Sequence, residues 1–428
     1  NGTFLTNKNN TANPTYTYSP YGNYLMYPIN NSDLIDANFI IDSPYNSYLN
    51  SLVVYNDINV SGTSSNNTYN FPITITTPFS DIDVNVIPIS APRPNFTFKN
   101  RIIYKNNGVS TTNGTITFTK DPNVSINATN YPSALFTSTG FSLDYTNLTP
   151  QETRYVDVLM YVPNIPYVNL GDLLTNSVTI TTTTTDIDLL NNTSNLSQVV
   201  IGSYDPNDKM ESHGETIDIN SFTTDDYLYY TIRFQNTGTA DAINVEIQDL
   251  LDSQLNPSSL RMIDASHDYV LTKDSNQLIW NFDNIYLPSE SQSVELSQGY
   301  VAFKIKPYPG FVANDMIPNT AEIYFDFNPA IITNTFQTTF INPLSNQNFL
   351  LNVISIYPNP TNDILNINYG SSTIDIKSVQ IHDMLGKVVY QSQSKVESID
   401  LSNFNSGIYL ITITTESNGK MVKKLVKN

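Results

Sequence analysis

No cysteine occurs in the 428 residues, which excludes disulfides, thiolate metal sites, iron–sulfur clusters and a cysteine nucleophile; stability must come from packing. Glycine is sparse. The 16 glycines never come closer than six positions apart, so there is no G-x-G phosphate loop, dinucleotide fingerprint or G-x-S-x-G elbow. Histidine is confined to His213, His267 and His382, in separate parts of the chain. A histidine-based triad or zinc site would need them to converge across domains, and they read instead as exposed turn or strand residues. Positive charge is also short: Lys+Arg number 20 against 39 Asp+Glu, a net charge of −19 that repels phosphate backbones and anionic lipid, so nucleic acid is not an expected partner. Apolar runs such as Phe349 to Tyr357 fall far below the roughly 18–20 residues that span a bilayer. The chain opens at Asn1 without an initiator methionine or signal peptide, which fits either a processed secreted protein or a fragment of a longer one.

What is present points to β structure. Hydrophobic residues make up 39%, with 28 Tyr and 20 Phe, enough to build real cores. Apolar stripes at helical spacing are missing, whereas period-two alternation recurs, as in Asn113-Gly-Thr-Ile-Thr-Phe-Thr and Gly407-Ile-Tyr-Leu-Ile-Thr-Ile-Thr-Thr. Turn signals rich in Asn, Gly, Pro and Asp separate these runs at intervals of about 8–12 residues, the rhythm of β-sandwiches. The expected fold is therefore all-β, with tandem Ig-like sandwiches.

An internal repeat places the joints. Tyr104-Lys-Asn-Asn-Gly108 answers Phe234-Gln-Asn-Thr-Gly238, and Thr175-Asn-Ser-Val-Thr-Ile180 answers Pro318-Asn-Thr-Ala-Glu-Ile323, with Asp186 and Asp326 following each. Arg154 to Pro163 and Gly299 to Pro307 match between these anchors. Sandwiches are expected at 93–200 and 201–341, bounded by the Pro-rich Ile87-Pro-Ile-Ser-Ala-Pro-Arg-Pro94 and by Asn342 to Asn348. Residues 1–92 read as a further β-rich module, entered partway through. Residues 349–428 differ in charge: seven Lys against six acids give +1, while the rest of the chain carries 13 basic and 33 acidic residues. That break marks a separate unit with its own partner.

Residues that could carry chemistry are few, and no catalytic set emerges. Carboxylates pair at Asp81/Asp83, Asp186/Asp188 and Asp225/Asp226, and the acidic turn Tyr204-Asp-Pro-Asn-Asp-Lys209 lies at a module junction. Asp205, Asn207 and Asp208 form a weak Ca²⁺ candidate, too few ligands without help from elsewhere; the alternative is a structural turn whose side chains accept local backbone N–H groups. No other metal or cofactor is expected. Trp280 alternates with Leu278 and Phe282 and reads as a core residue.

The tail contains Tyr357-Pro-Asn-Pro360 and Asp363-Ile-Leu-Asn-Ile, then Val379-Gln-Ile-His-Asp-Met-Leu-Gly-Lys-Val-Val389 and Leu401-Ser-Asn-Phe-Asn-Ser-Gly-Ile-Tyr409. It closes on Gly419-Lys-Met-Val-Lys-Lys-Leu-Val-Lys427. This segment resembles the type A C-terminal sorting domain of the type IX secretion system, found in cargo of Bacteroidota, and keeps the order and spacing of the family's blocks over about 80 residues. Pro358 and Pro360 suit an extended entry that cannot pair as a central strand. Gly386 suits the positive-φ site of a hairpin, and Gly407 is expected to open the Tyr409 strand where a side chain would crowd. Lys420, Lys423, Lys424 and Lys427 are either a recognition patch or solvated lysines that protect a strand edge. The 201–341 unit, with Ser203-Tyr-Asp-Pro-Asn-Asp-Lys209, Phe234-Gln-Asn-Thr-Gly238 and Glu322-Ile-Tyr-Phe-Asp-Phe-Asn-Pro329, resembles an uncharacterised Ig-like module that often precedes this sorting domain. Residues 93–200 look like its diverged relative.

The resemblance implies a small terminal β-sandwich recognised by the outer-membrane translocon and its shuttle barrel. It also implies cleavage near residues 341–350 by a surface sortase, and attachment of the cargo to lipopolysaccharide or its release. Two functions follow as expectations: an exported, adhesin-like stalk on the cell surface, not itself an enzyme, or the accessory and sorting region of a secreted hydrolase whose catalytic domain lies upstream of residue 1.

Overall fold

The computed structural model describes residues 2–8, 15–18, 34–59, 68–203, 205–342, 354–369, 376–384, 386–415 and 420–428. Among these the only helical segments are three short 3-10 turns; everything else regular is β-strand. Two compact units divide the chain, residues 1–341 and 342–428.

Alternation builds the first sandwich. Along Thr112–Thr119, Ile116 and Phe118 are buried while Thr117 and Thr119 face water. One sheet runs in the order Ser125–Thr129, Thr153–Tyr161, Thr97–Asn106, Ile82–Pro88. The other runs Leu135–Phe136, Gly140–Leu148, Thr112–Thr119, Leu173–Thr182, Thr193–Val199. Phe98, Ile102, Tyr104, Phe118, Phe141, Val156, Met160 and Leu196 share the core between them, each such side chain stabilising by roughly 1.5–3 kcal/mol. The expected start at residue 93 is too late. Ile82–Pro88 pairs antiparallel with Thr97–Asn106, from Ile82 opposite Asn106 to Pro88 opposite Asn100, and Val84 and Val86 are buried in the core. Pro88 is tolerated because it ends an edge strand, where a missing N–H breaks no ladder.

The second sandwich sets Asp208–Glu211, Leu228–Gln235, Gln298–Ile305 and Arg261–Ala265 against the sheet Val270–Asp274, Gln277–Phe282, Val245–Leu250, Ala321–Phe325, Ile331–Ile332. A smaller sheet of Thr216–Asp218, Phe336–Ile341 and Met316–Asn319 closes one side. Trp280, Leu278 and Phe282 are fully buried, as the alternation requires. Gly299 lies opposite Phe234, and a Cβ there would stand 2.2 Å from the Phe234 ring, so only glycine fits.

The repeat has a structural cause. Asn106 donates from Nδ2 to the carbonyls of Ser110 and Leu148 at 2.8 and 2.9 Å and accepts from Gly108 N–H at 2.9 Å. Asn236 does the same to Ala240 and Leu287 and accepts from Gly238. One carboxamide locks the corresponding turn in both sandwiches.

Residues 1–92 are shared out rather than forming one module. Gly2–Lys8, Leu34–Ile41 and Val54–Asn59 make a sheet of their own, Ile82–Pro88 joins the first sandwich, and Thr15–Tyr18 pairs with Val270–Asp274 on the edge of the second. An unpaired sheet edge accepts any extended segment, and nearness in sequence does not decide which. The two sandwiches also pack directly: Ile87 and Ile103 meet Tyr300 and Ala302 in one apolar cluster, Arg101 donates to the Tyr300 hydroxyl at 3.3 Å, and the Tyr155 hydroxyl donates to Asp264 at 3.1 Å.

In the C-terminal unit, Ser355–Tyr357, Ile364–Asn368 and Ser398–Asp400 form one sheet and Val388–Ser392, Ile376–Asp383, Gly407–Thr415 and Lys420–Lys427 the other. Ile354, Leu365, Val379, Ile381, Leu401, Ile411, Ile413 and Leu425 form its own core. From residue 343 on, the expected linker and cleavage region fall outside the described residues until 354.

Candidate functional site

The tail motif is a clasp on the last strand. Asn359 donates from Nδ2 to the Lys424 carbonyl at 2.7 Å and accepts from Val426 N–H at 2.8 Å, imitating a neighbouring strand with one side chain. Two residues on, Thr361 N–H donates to Val426 and the Thr361 carbonyl accepts from Asn428 N–H, each at 2.9 Å. Pro358 and Pro360 flank Asn359 and have no N–H to contribute, so the asparagine side chain supplies the pairing that the backbone cannot. Tyr357 ends its strand with an exposed ring.

Gly386 sits at φ +83° in the hairpin between Ile376–Asp383 and Val388–Ser392, and its N–H donates to Asp383 at 3.0 Å. A side chain would be strained there. Gly407 is different: a Cβ at that position meets nothing within 4 Å, so the expected crowding is absent. Tyr409, in the core, packs edge-on to Phe404 with ring centroids 5.4 Å apart and donates to the Asn405 carbonyl at 2.9 Å.

The terminal lysines do not form one patch. Strand alternation puts Lys423 and Lys427 on the face of Met421 and Leu425, and Lys424 on the other. Lys423 donates to the Ile354 carbonyl at 2.7 Å and Lys427 to that of Asn428 at 2.8 Å, whereas Lys424 is exposed. The side chain of Lys420 lies outside the described residues. Around Lys424 the outer face carries cross-strand pairs Ile408 with Val426, Leu410 with Lys424 and Thr412 with Val422. Ile408, Leu410 and Val422 are exposed.

The acidic turn of the second sandwich is occupied by protein donors. Asp205 accepts from Asn207 N–H at 2.9 Å, Asn207 from Gln235 N–H at 3.0 Å, and both Asp208 oxygens face the Arg233 guanidinium. All three candidate Ca²⁺ ligands therefore already have partners, and among the described residues no group of three His, Asp or Glu side chains stands close enough to hold a metal. His213 accompanies Glu211 at 2.7 Å, His267 accompanies Ser266, and His382 lies by the Gly386 carbonyl. Asp81 is the outlier of the carboxylate pairs. Burial, with Asp186 and Asp83 nearby, pushes its pKa up to about 6 despite hydrogen bonds from Asn191 and Tyr45. A buried centre at Lys209, Asp249 and Asn319 was not legible as a site, because the three lie on strands far apart in the chain and only the packing of the sheets brings them inward.

Residues 355–428 match the model of a secretion system C-terminal sorting domain. The chain carries a type IX sorting signal. Residues 205–339 match a domain of unknown function (DUF7619). Two curated relatives are similar over a short stretch: an endo-acting ulvan lyase of Formosa agariphila, 34% identical over 76 residues, and the ulvan lyase NLR42 of Nonlabens ulvanivorans, 36% identical over 78. The stretch is 17–18% of this chain, which spans 14% of the length of either relative. Among solved structures, the major pilin subunit of Bacillus cereus is similar at 11% identity and TM-score 0.24, covering 81% of this chain and 94% of the pilin. The collagen adhesin of Staphylococcus aureus is similar at 13% identity and TM-score 0.22, covering 62% of this chain and 93% of that one. The sorting domain makes this protein a cargo of the type IX machinery, exported across the outer membrane to the cell surface or beyond.

Proposed function

We propose that residues 34–341 serve as a non-catalytic, adhesin-like stalk of two packed sandwiches, and that the outer face of the last sheet in residues 355–428 is what the translocon and shuttle barrel read. The observation that carries the second statement is the Asn359 clasp: it closes the edge of the terminal strand and leaves Ile408, Leu410, Val422 and Lys424 displayed on a braced sheet. Exposed apolar surface of this kind marks an interaction site. A surface sortase then removes the tail, and the stalk is released or joined to lipopolysaccharide. The test is a fluorescent protein with a periplasmic signal peptide, fused to residues 349–428 in a host with a type IX system. It should reach the surface. Asn359→Ala should strand it in the periplasm by loosening the clasp, and Leu410→Asp should do so with the fold intact. Surface delivery of the Leu410→Asp fusion would refute the reading face.

The two lyase relatives favour a second reading, in which these modules are the accessory and sorting region of a secreted polysaccharide-degrading enzyme. A catalytic motif in the gene upstream of Asn1 decides for it; further β modules there decide for the stalk.

A further inference from the structure

The centre of the second sandwich holds an ammonium group where water cannot reach it. Lys209 is 1% exposed on Asp208–Glu211, and its Nζ touches Oδ2 of Asp249, which is fully buried on Val245–Leu250. The rings of Tyr230 and Phe303 stand 5.1 and 5.8 Å from Nζ. Burial drives the Lys209 pKa down and the Asp249 pKa up, against the attraction between the two. Both shifts favour the neutral pair, and a neutral amine is a nucleophile.

A third group completes the centre. Asn319 is 2% exposed on Met316–Asn319. Asp249 pairs with Ala321, two residues on from Asn319, and Asn319 ends its strand opposite Phe336 in the smaller sheet, buried like Ala321. The Tyr230 hydroxyl faces Asn319 and Thr338 without completing an aligned hydrogen bond to either. Asn319 Oδ1 and Nδ2, Asp249 Oδ1, the Tyr230 hydroxyl and Thr338 Oγ1 are all buried without a partner. Buried polar atoms without partners are uncommon, and this concentration beside a buried lysine calls for a chemical cause.

We propose that Lys209 and Asn319 become joined by an amide bond inside the folded chain, with Asp249 carrying the proton. Nζ, having given one proton to Asp249, attacks Cγ of Asn319. The Nζ–Cγ bond forms, the Cγ–Nδ2 bond breaks, and Nδ2 leaves as ammonia with a proton that Asp249 relays from Nζ. Asp249 ends as the neutral acid beside the new amide. The step consumes no oxidant or second substrate. It ties the first strand of the sandwich to a late one in a chain that has no cysteine to do so.

The test is the intact mass of the purified full chain. It should fall short of the sequence mass by one ammonia, and trypsin acting on the unfolded protein should leave Lys209 uncut, with fragmentation joining the Lys209 and Asn319 peptides. Asp249→Asn should restore the full mass. Asn319→Asp should reach the native cross-linked mass by losing water instead. The native mass needs no variant to fold: folded wild-type protein of full sequence mass, cleaved after Lys209, overturns the proposal. A link from Lys209 to Asp249, with loss of water, overturns the role of Asn319.

Discussion

In the first sandwich Asn176 is fully buried, yet its Oδ1 accepts from Asp121 N–H at 2.9 Å, and the Asp121 carboxylate accepts in turn from Thr175 N–H. At the matching position of the second, Asn319 has no hydrogen-bond partner for its side chain. The strands opposite keep step and differ in residue: with the locked asparagines Asn106 and Asn236 superposed, Val86 lies across from Ile102 in the first and Lys209 across from Ile232 in the second. Two copies of one scaffold therefore share the Asn lock at the turn and diverge at the centre: in the first the Asn176 oxygen is satisfied and its Nδ2 is not, while in the second neither side-chain atom of Asn319 has a partner and the Lys209–Asp249 pair is buried as well. The frame conserves its hydrogen-bonding geometry where the backbone demands it; the inward positions are free to take up chemistry.

The strongest way to break this comparison is to make the second centre apolar like the first. Replacing a plain buried ion pair by hydrophobic residues is often neutral or stabilising. If Lys209 is cross-linked, the combined Lys209→Met, Asp249→Leu change instead opens a loop of roughly 100 residues, and destabilises by about 4–5 kcal/mol on the chain-entropy argument. Hydrogen exchange should show the loss in Leu228–Gln235 and leave Thr97–Asn106 protected; a variant as stable as the parent would remove the distinction between the sandwiches. The shared lock offers a matched pair next. Asn106→Ala and Asn236→Ala each strand two buried carbonyls and one N–H, costing about 2–4 kcal/mol. Equal falls in denaturation midpoint are expected, and a large inequality would show that the repeat is one of sequence only.

Asp81 sharpens the contrast by pH. Its folded pKa of about 6 lies above the unfolded value of 3.8, so the protonated form is favoured by folding. The stability it contributes is full below pH 3.8 and lost as pH rises through 6. Asp81→Asn should therefore gain up to about 3 kcal/mol over the parent at pH 8. Most of that gain should disappear at pH 4, and melting curves at the two pH values with no such convergence would refute the assignment. The smallest effect belongs to the tail: Gly407→Ala, with open space at Cβ, should change stability by less than about 0.5 kcal/mol, while Gly299→Ala, which drives a methyl into Phe234, costs about 1–3 kcal/mol.

The tail was legible because its determinants are local. A hairpin glycine, a proline pair and an alternating strand act on their own neighbours in the chain, so spacing alone exposes them. The clasp at Asn359 was half legible: its proline flanks stood out, but its partner strand, more than sixty residues away, did not. The splitting of the lysines onto two faces was hidden by treating Lys420 to Lys427 as a cluster when a strand's period of two separates neighbours.

Alternation, turn residues and the Asn-x-Gly repeat determined by themselves that the chain is all-β, that it contains two related sandwiches, and that a separate module closes it, because each of these follows from local backbone preference and from which side of a strand is apolar. Only the tertiary structure decided which edges the segments of residues 1–92 would fill, that Ile82–Pro88 belongs to the first core, and that the lysine ending Asp-Pro-Asn-Asp-Lys209 turns inward. Those outcomes depend on the opposing sheet. An edge takes whichever extended segment reaches it, and a side chain's burial is settled by Asp249, Tyr230 and Phe303 across the core rather than by the residues beside it.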